Sequence, residues 1–215
     1  MKKTLLFIQL MILFQFANPV CAQEAKNKIV LSGILAHYEQ ISKYGSAEVV
    51  HGYYQYPVDP GIEVLYLRNL SKNISLGTGI CYQKGKIMDF IINQYRFHFA
   101  DVSIPILFSS HFNLDERNGL LIATGLYGGK AILLKAESTG STDGWYEFSD
   151  FDISWYSDDA FFLDIYFGAG YSYSISQKSS ISIMPFVKYR ANTVWLNEFQ
   201  KKLHYGVKLS YSFNF

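Results

Sequence analysis

The chain closes on LHYGVKLSYSFNF, residues 203–215, a stretch that alternates without a break. Leu203, Tyr205, Val207, Leu209, Tyr211, Phe213 and Phe215 are apolar or aromatic, and His204, Gly206, Lys208, Ser210, Ser212 and Asn214 stand between them. Side chains fall on opposite faces with a period of two only in an extended strand. One face of this segment is therefore apolar from end to end, and the other is small or polar.

The same period recurs upstream. In 160–175, Phe161, Leu163, Ile165, Phe167, Ala169, Tyr171 and Tyr173 oppose Phe162, Asp164, Tyr166, Gly168, Gly170, Ser172 and Ser174. In 180–190, Ile181, Ile183, Pro185, Val187 and Tyr189 oppose Ser180, Ser182, Met184, Phe186, Lys188 and Arg190. Segments 100–108 and 73–83 behave alike, with Val102, Ile104, Ile106 and Phe108 on one apolar face and Ile74, Leu76, Ile80 and Tyr82 on the other. Segments 27–38, 58–70 and 118–132 read as strands of poorer phase. In 58–70, Leu65 and Leu67 fall opposite Ile62, Val64 and Tyr66, which leaves that strand without an assigned face. These segments make eight strands, and no stretch after the N-terminal segment has helical periodicity.

Connection lengths choose the architecture. Roughly 39–57, 85–96, 133–159 and 191–202 are long, whereas 70–73, about 109–117 and 176–179 are shorter. Long and short connections alternating along an even number of strands predict an all-β, eight-stranded antiparallel up-and-down transmembrane β-barrel, with the short turns periplasmic and the long loops outside. The middle turn, SSHFNLDERN, is longer than this rule prefers.

The N-terminus agrees with export. MKKTLLFIQLMILFQFANPVCAQ has a basic start, an apolar run to Phe16, and Val20 and Ala22 at the positions a signal peptidase reads. Residues 1–22 are expected to be a signal peptide and 23–215 the barrel domain. A lipoprotein signal through Cys21 fits less well, because Val20 replaces the small residue expected before a lipidated cysteine. Cleavage leaves Cys81 as the sole cysteine, so neither an intramolecular disulfide nor a cysteine metal cluster can form. Losing Lys2 and Lys3 takes the formal charge from +1 to about −1, which gives no sign of a nucleic-acid partner. Aromatic residues make up 17% of the chain and charged residues 17%, against a usual charged share of about 25%. No apolar run in the remainder reaches the length of about 18 residues that a spanning helix needs.

Backbone satisfaction explains why such a sheet must close, since hydrocarbon offers no partner to an edge N–H or C=O. Outward side chains then meet lipid, the first expected partner, and inward ones fill a narrow lumen. Gly77, Gly79, Gly168 and Gly170 suit that crowding, and Asp101, Asp164, Lys188, Arg190 and Lys208 are expected to form a polar network within it. Tyr189 and Tyr205 fall near one interface and Tyr171, Tyr173, Tyr211, Phe213 and Phe215 near the other, as aromatic girdles require. A soluble sandwich would instead carry charge on its exposed face and protect its edges.

With its signal segment, eight strands, VSIPILF at 102–108, GLYGG at 125–129 and terminal SFNF, the chain resembles the outer-membrane β-barrel domain family that includes PorT-like and OmpA-like eight-stranded barrels. The resemblance spans essentially the whole mature chain. It implies the outer membrane of a Gram-negative bacterium and a monomeric state. It also implies recognition of Phe215 by the barrel-assembly machinery as a C-terminal signal. No catalytic residues come with it, nor the peptidoglycan-binding domain that larger OmpA-like proteins append.

The five histidines, His37, His51, His98, His111 and His204, are the candidates for chemistry, because some barrels of this size hydrolyse or transfer lipid A acyl chains. Such an enzyme needs a serine and histidine within reach and a third group to orient the base. His98 diverges from both Ser103 and Asp101 by strand parity, and His204 suits a structural hydrogen bond above Lys208. GLYGGKAI lacks the glycine spacing and the Ser/Thr after lysine of a phosphate loop. The distinctive surface is the 133–159 loop, where Glu137, Asp143, Glu147, Asp150, Asp152, Asp158 and Asp159 interleave with aromatic residues. Trp145, Tyr146, Trp155 and Tyr156 are its candidate contacts for an extracellular ligand or partner. Its acidic residues do not follow the spacing of an EF-hand loop, so no metal or cofactor is assigned. The expected role is non-enzymatic, structural or recognition through outer loops. A lipid A-modifying enzyme and a secretion or assembly accessory are the alternatives.

Overall fold

Period-two alternation is realised as ten strands: β1 (Asn27–Tyr44), β2 (Ala47–His51), β3 (Asp59–Asn69), β4 (Ile74–Met88), β5 (Tyr95–Asn113), β6 (Asn118–Thr139), β7 (Trp145–Glu147), β8 (Phe161–Ser174), β9 (Ser179–Arg190) and β10 (Phe199–Asn214). The structure, a computed structural model, describes residues 27–44, 47–51, 59–88, 95–139, 145–147, 161–191 and 199–215. The expected signal segment 1–22 lies outside them.

Eight strands are staves of a cylinder, in the order β10-β9-β8-β6-β5-β4-β3-β1, and pairing of β10 with β1 closes the ring. Every pairing is antiparallel. The closing seam runs from Lys28↔Asn214 to Ser42↔Phe199, with one register shift between Glu39 and Gln40. A closed ring removes the edges that hydrocarbon would leave unsatisfied. The two short strands lie beyond the staves, β2 against Gln40–Tyr44 of β1 and β7 against Glu137–Thr139 of β6.

Three four-residue turns, 70–73, 114–117 and 175–178, join β3 to β4, β5 to β6 and β8 to β9. The middle one is a correction to the sequence reading. SSHFN continues β5 to Asn113, leaving only Leu114–Arg117 as turn. Asp115 explains its tightness, since one carboxylate oxygen accepts from the Arg117 and Asn118 amides, each at 2.8 Å. The other accepts from the Asn118 side chain at 2.5 Å. These bonds, the Asn118 side chain first, hold the Asp115 carboxyl below its usual range. The expected 85–96 loop is also shorter, because β4 runs on to Met88 and β5 begins at Tyr95.

The outward face is apolar on every stave. Ile80 is 63% exposed, Ile104 61% and Leu209 56%, values that in water would mark a defect. Tyr189, Tyr205 and Phe161 ring this surface at the end toward the long connections, and Tyr171, Tyr173, Tyr211 and Phe213 at the turn end. Lys130, an outward cation, holds its Nζ 5.7 Å above the Phe161 ring. β3 can now be oriented. Glu63, Leu65 and Leu67 face inward, and Ile62, Val64 and Tyr66 face out. Its poor phase arises because the lumen beside β3 is itself apolar.

The narrow ring demands glycine where staves approach most closely. A Cβ on Gly79 would stand 1.9 Å from the Val64 carbonyl oxygen and 2.9 Å from Leu65 Cα, both backbone atoms of β3. Gly79→Val is therefore expected to abolish formation of the compact, unboiled gel band, whereas Gly33→Val, where a Cβ meets nothing within 4 Å, should retain it. Equal folding yields of the two variants would refute this.

Candidate functional site

Inward positions from seven strands converge on a buried ion-paired plug. On β10, Lys208 donates from Nζ to Glu63 Oε1 of β3 at 2.6 Å and to the Tyr127 hydroxyl of β6 at 3.0 Å. Tyr127 in turn donates to Glu63 Oε2 at 2.5 Å. Further toward the long connections, Arg190 of β9 spans two carboxylates. Its Nε lies 2.7 Å from Asp164 Oδ1 of β8 and one terminal nitrogen 2.7 Å from Asp101 Oδ2 of β5. Its guanidinium stacks 3.9 Å from the centre of the Phe162 ring. Lys188 sits between the two groups, 3.5 Å from Gln83 Oε1 and 4.1 Å above the Tyr127 ring.

Among the described residues the buried charges are Glu63, Asp101 and Asp164 against Lys188, Arg190 and Lys208, so three carboxylates meet three cations. That neutrality is what a low-dielectric interior requires, because an uncompensated buried ion is costly. Tyr127, Tyr166, Ile34 and Phe186 fill the space between the pairs. Tyr166 fits because Gly168 gives it room: a Cβ there would stand 2.6 Å from its hydroxyl.

All five residues expected in a lumen network lie inside. Asp101, Asp164 and Arg190 meet directly, whereas Lys188 and Lys208 bond to Gln83 and to Glu63 with Tyr127. Glu63, Gln83, Tyr127 and Tyr166 were not expected in that network, although strand parity puts Tyr166 on the same face as Asp164. The available signal was Glu63, the sole acid between Gly61 and Asn69, sharing parity with Leu65 and Leu67.

Below the plug the lumen opens into a cavity of about 800 Å³ that reaches the 114–117 and 175–178 turns. At its edge His111 Nε2 lies 2.9 Å from Ser172 Oγ. This histidine–serine pair is at the turn end, and among the described residues no carboxylate bonds to His111, so the third member of a hydrolytic triad is missing there. His204 is buried on β10 four residues from Lys208, and His37 packs outside against Tyr205 with ring centres 5.3 Å apart. His51 and His98 fall on β2 and β5 at positions whose side chains lie outside the description. Trp145 and Tyr146 sit on β7, in register with Thr139 and Ser138, while Trp155 and Tyr156 fall outside the described residues. Among the described residues no three His, Cys, Asp or Glu side chains gather as metal ligands.

A closed antiparallel ring, apolar where it meets its surroundings and ion-paired within, defines a small outer-membrane β-barrel. Among solved structures, the Neisserial surface protein A (NspA) matches with a TM-score of 0.54 at 9% identity, over 88% of this chain and 97% of that one. The outer membrane protein OprG of Pseudomonas aeruginosa matches with a TM-score of 0.49 at 6% identity, covering 91% and 99%. Ail, the attachment invasion locus protein of Yersinia pestis, matches with a TM-score of 0.47 at 13% identity, covering 90% and 100%. At such identities the likeness is one of fold. No protein-family profile and no curated protein matches the sequence.

Proposed function

We propose that this barrel is a non-enzymatic, monomeric component of the outer-membrane wall whose long connections serve structure or surface recognition. The plug carries the reading. Six buried charges, three of each sign, and two buried tyrosines occupy the section through which a solute would have to pass, which argues against a general porin. β7 pairs Trp145 and Tyr146 with Thr139 and Ser138 of β6, and Trp145, Tyr146, Trp155 and Tyr156 of the acidic, aromatic 133–159 segment are the proposed contacts for an extracellular partner. In this reading Phe215 serves assembly, as the chain's resemblance to PorT-like barrels implies, and residues 1–22 direct export.

The test is conductance and chemistry together. The purified protein is expected to run as a fast band unboiled and a slower one boiled, and to leave planar bilayers without steady single-channel steps. Deleting the gene is expected to leave the lipid A acylation profile unchanged. Stable conductance would overturn the plugged reading, and an altered acyl profile would restore the enzyme alternative.

A further inference from the structure

The cavity beneath the plug has two unlike walls. Along β1, β3, β5 and β6 it is faced by Val30, Leu65, Leu67, Leu107, Leu121 and Ala123. Along β8 to β10 it is faced by serines that bond to one another or to Ser32 of β1: Ser180 to Ser212 at 2.6 Å and Ser210 to Ser32 at 2.9 Å. Mutual pairing lowers the demand of these hydroxyls for water. Its volume of about 800 Å³ falls in the range of small-molecule sites.

Charge is distributed unevenly. At the blind end Lys208 is neutralised by Glu63. Toward the mouth Lys28 lines the cavity, and no described carboxylate forms an ion pair with it. His111 and Ser172 lie at the same end, and the mouth adds one acid, Glu116, and one further cation, Arg117. The cavity thus has an apolar wall along β1, β3, β5 and β6 and, toward its mouth, a set of donors with a cation that no described carboxylate pairs.

We propose that this cavity is a binding site for an anionic amphiphile taken from the periplasmic side. The alkyl portion lies against Val30, Leu65, Leu107 and Ala123, and the carboxylate or phosphate lies between Lys28 and the His111–Ser172 pair. The plug blocks passage toward the outer face, so the site captures or senses its ligand and does not conduct it.

Octanoate is the probe, because it is soluble as a monomer and charged at pH 8. Titrated calorimetrically into nanodiscs holding the barrel, with empty nanodiscs subtracted, it is expected to saturate at one per protein. Octylammonium should give no saturable heat. Lys28→Met, which keeps the alkyl stem, is expected to weaken octanoate at least tenfold, and Ala123→Trp, which fills the cavity, to remove binding. Both variants are first checked for the heat-shifted gel band, and Lys28→Met alone decides the matter should Ala123→Trp fail it. Heat equal to that of empty nanodiscs, equal binding of both amphiphiles, or an unchanged affinity in Lys28→Met would overturn the proposal.

Discussion

Arg190→Leu is expected to destabilise the barrel by about 3–5 kcal/mol, the usual cost of removing one partner from a buried ion pair. Arg190 serves Asp101 and Asp164 at once, through bonds of 2.7 Å to each, and all three are almost fully buried. Without it, two carboxylates share one low-dielectric site with no cation between them. Arg190→Lys should recover only part of the loss, because one ammonium cannot reproduce a planar fork spanning two acceptors. The triple variant Arg190→Leu, Asp101→Asn, Asp164→Asn should regain most of the stability. Urea unfolding in lipid vesicles, read by the gel shift, measures each. A loss below about 1 kcal/mol at neutral pH, the scale of a solvated pair, would mean that water reaches the plug.

The second large effect lies on the outside. Leu209→Arg is expected to cost about 2–4 kcal/mol and Tyr205→Arg about 0–1, since the penalty for a lipid-facing cation falls from the bilayer midplane to its interface. Both side chains point outward on β10 and are about half exposed, so a water-bathed surface would tolerate either equally. The difference between the two isolates immersion in hydrocarbon from any general intolerance of the strand. Equal costs would mean that this face does not meet lipid.

The staves were legible because a lipid-facing residue has one requirement, apolarity, which repeats every second position whatever its neighbours are. On β8 and β9 that rule alone assigns every described side chain to its side. It failed on β3, where the inward Leu65 and Leu67 face an apolar stretch of lumen, so neither face of the strand stands out. It failed again at the 109–118 stretch, whose polar residues belong partly to β5 and partly to a turn fastened by Asp115. The lumen was half legible. Charges inside a membrane strand announce themselves, but their partners lie across the ring, 145 residues apart for Glu63 and Lys208. Which charge reaches which depends on strand stagger and tilt, quantities that no local pattern encodes. Tyr127, on a strand of poorer phase, was hidden for a related reason, since a tyrosine on a barrel strand suits a girdle as readily as a core.

The pairing of Lys208 with Glu63 also constrains the order of events during insertion. These two groups belong to the last stave and to the second, which are separated on the ring by β1 alone, yet β1 and β10 touch only once the seam has zipped. A sheet still open at that seam would present an orphan carboxylate and an orphan ammonium to acyl chains. Gradual, stave-by-stave penetration of the bilayer is thereby disfavoured, and this cylinder must either seal before it sinks or be sheltered by a chaperoning surface until its final strand arrives.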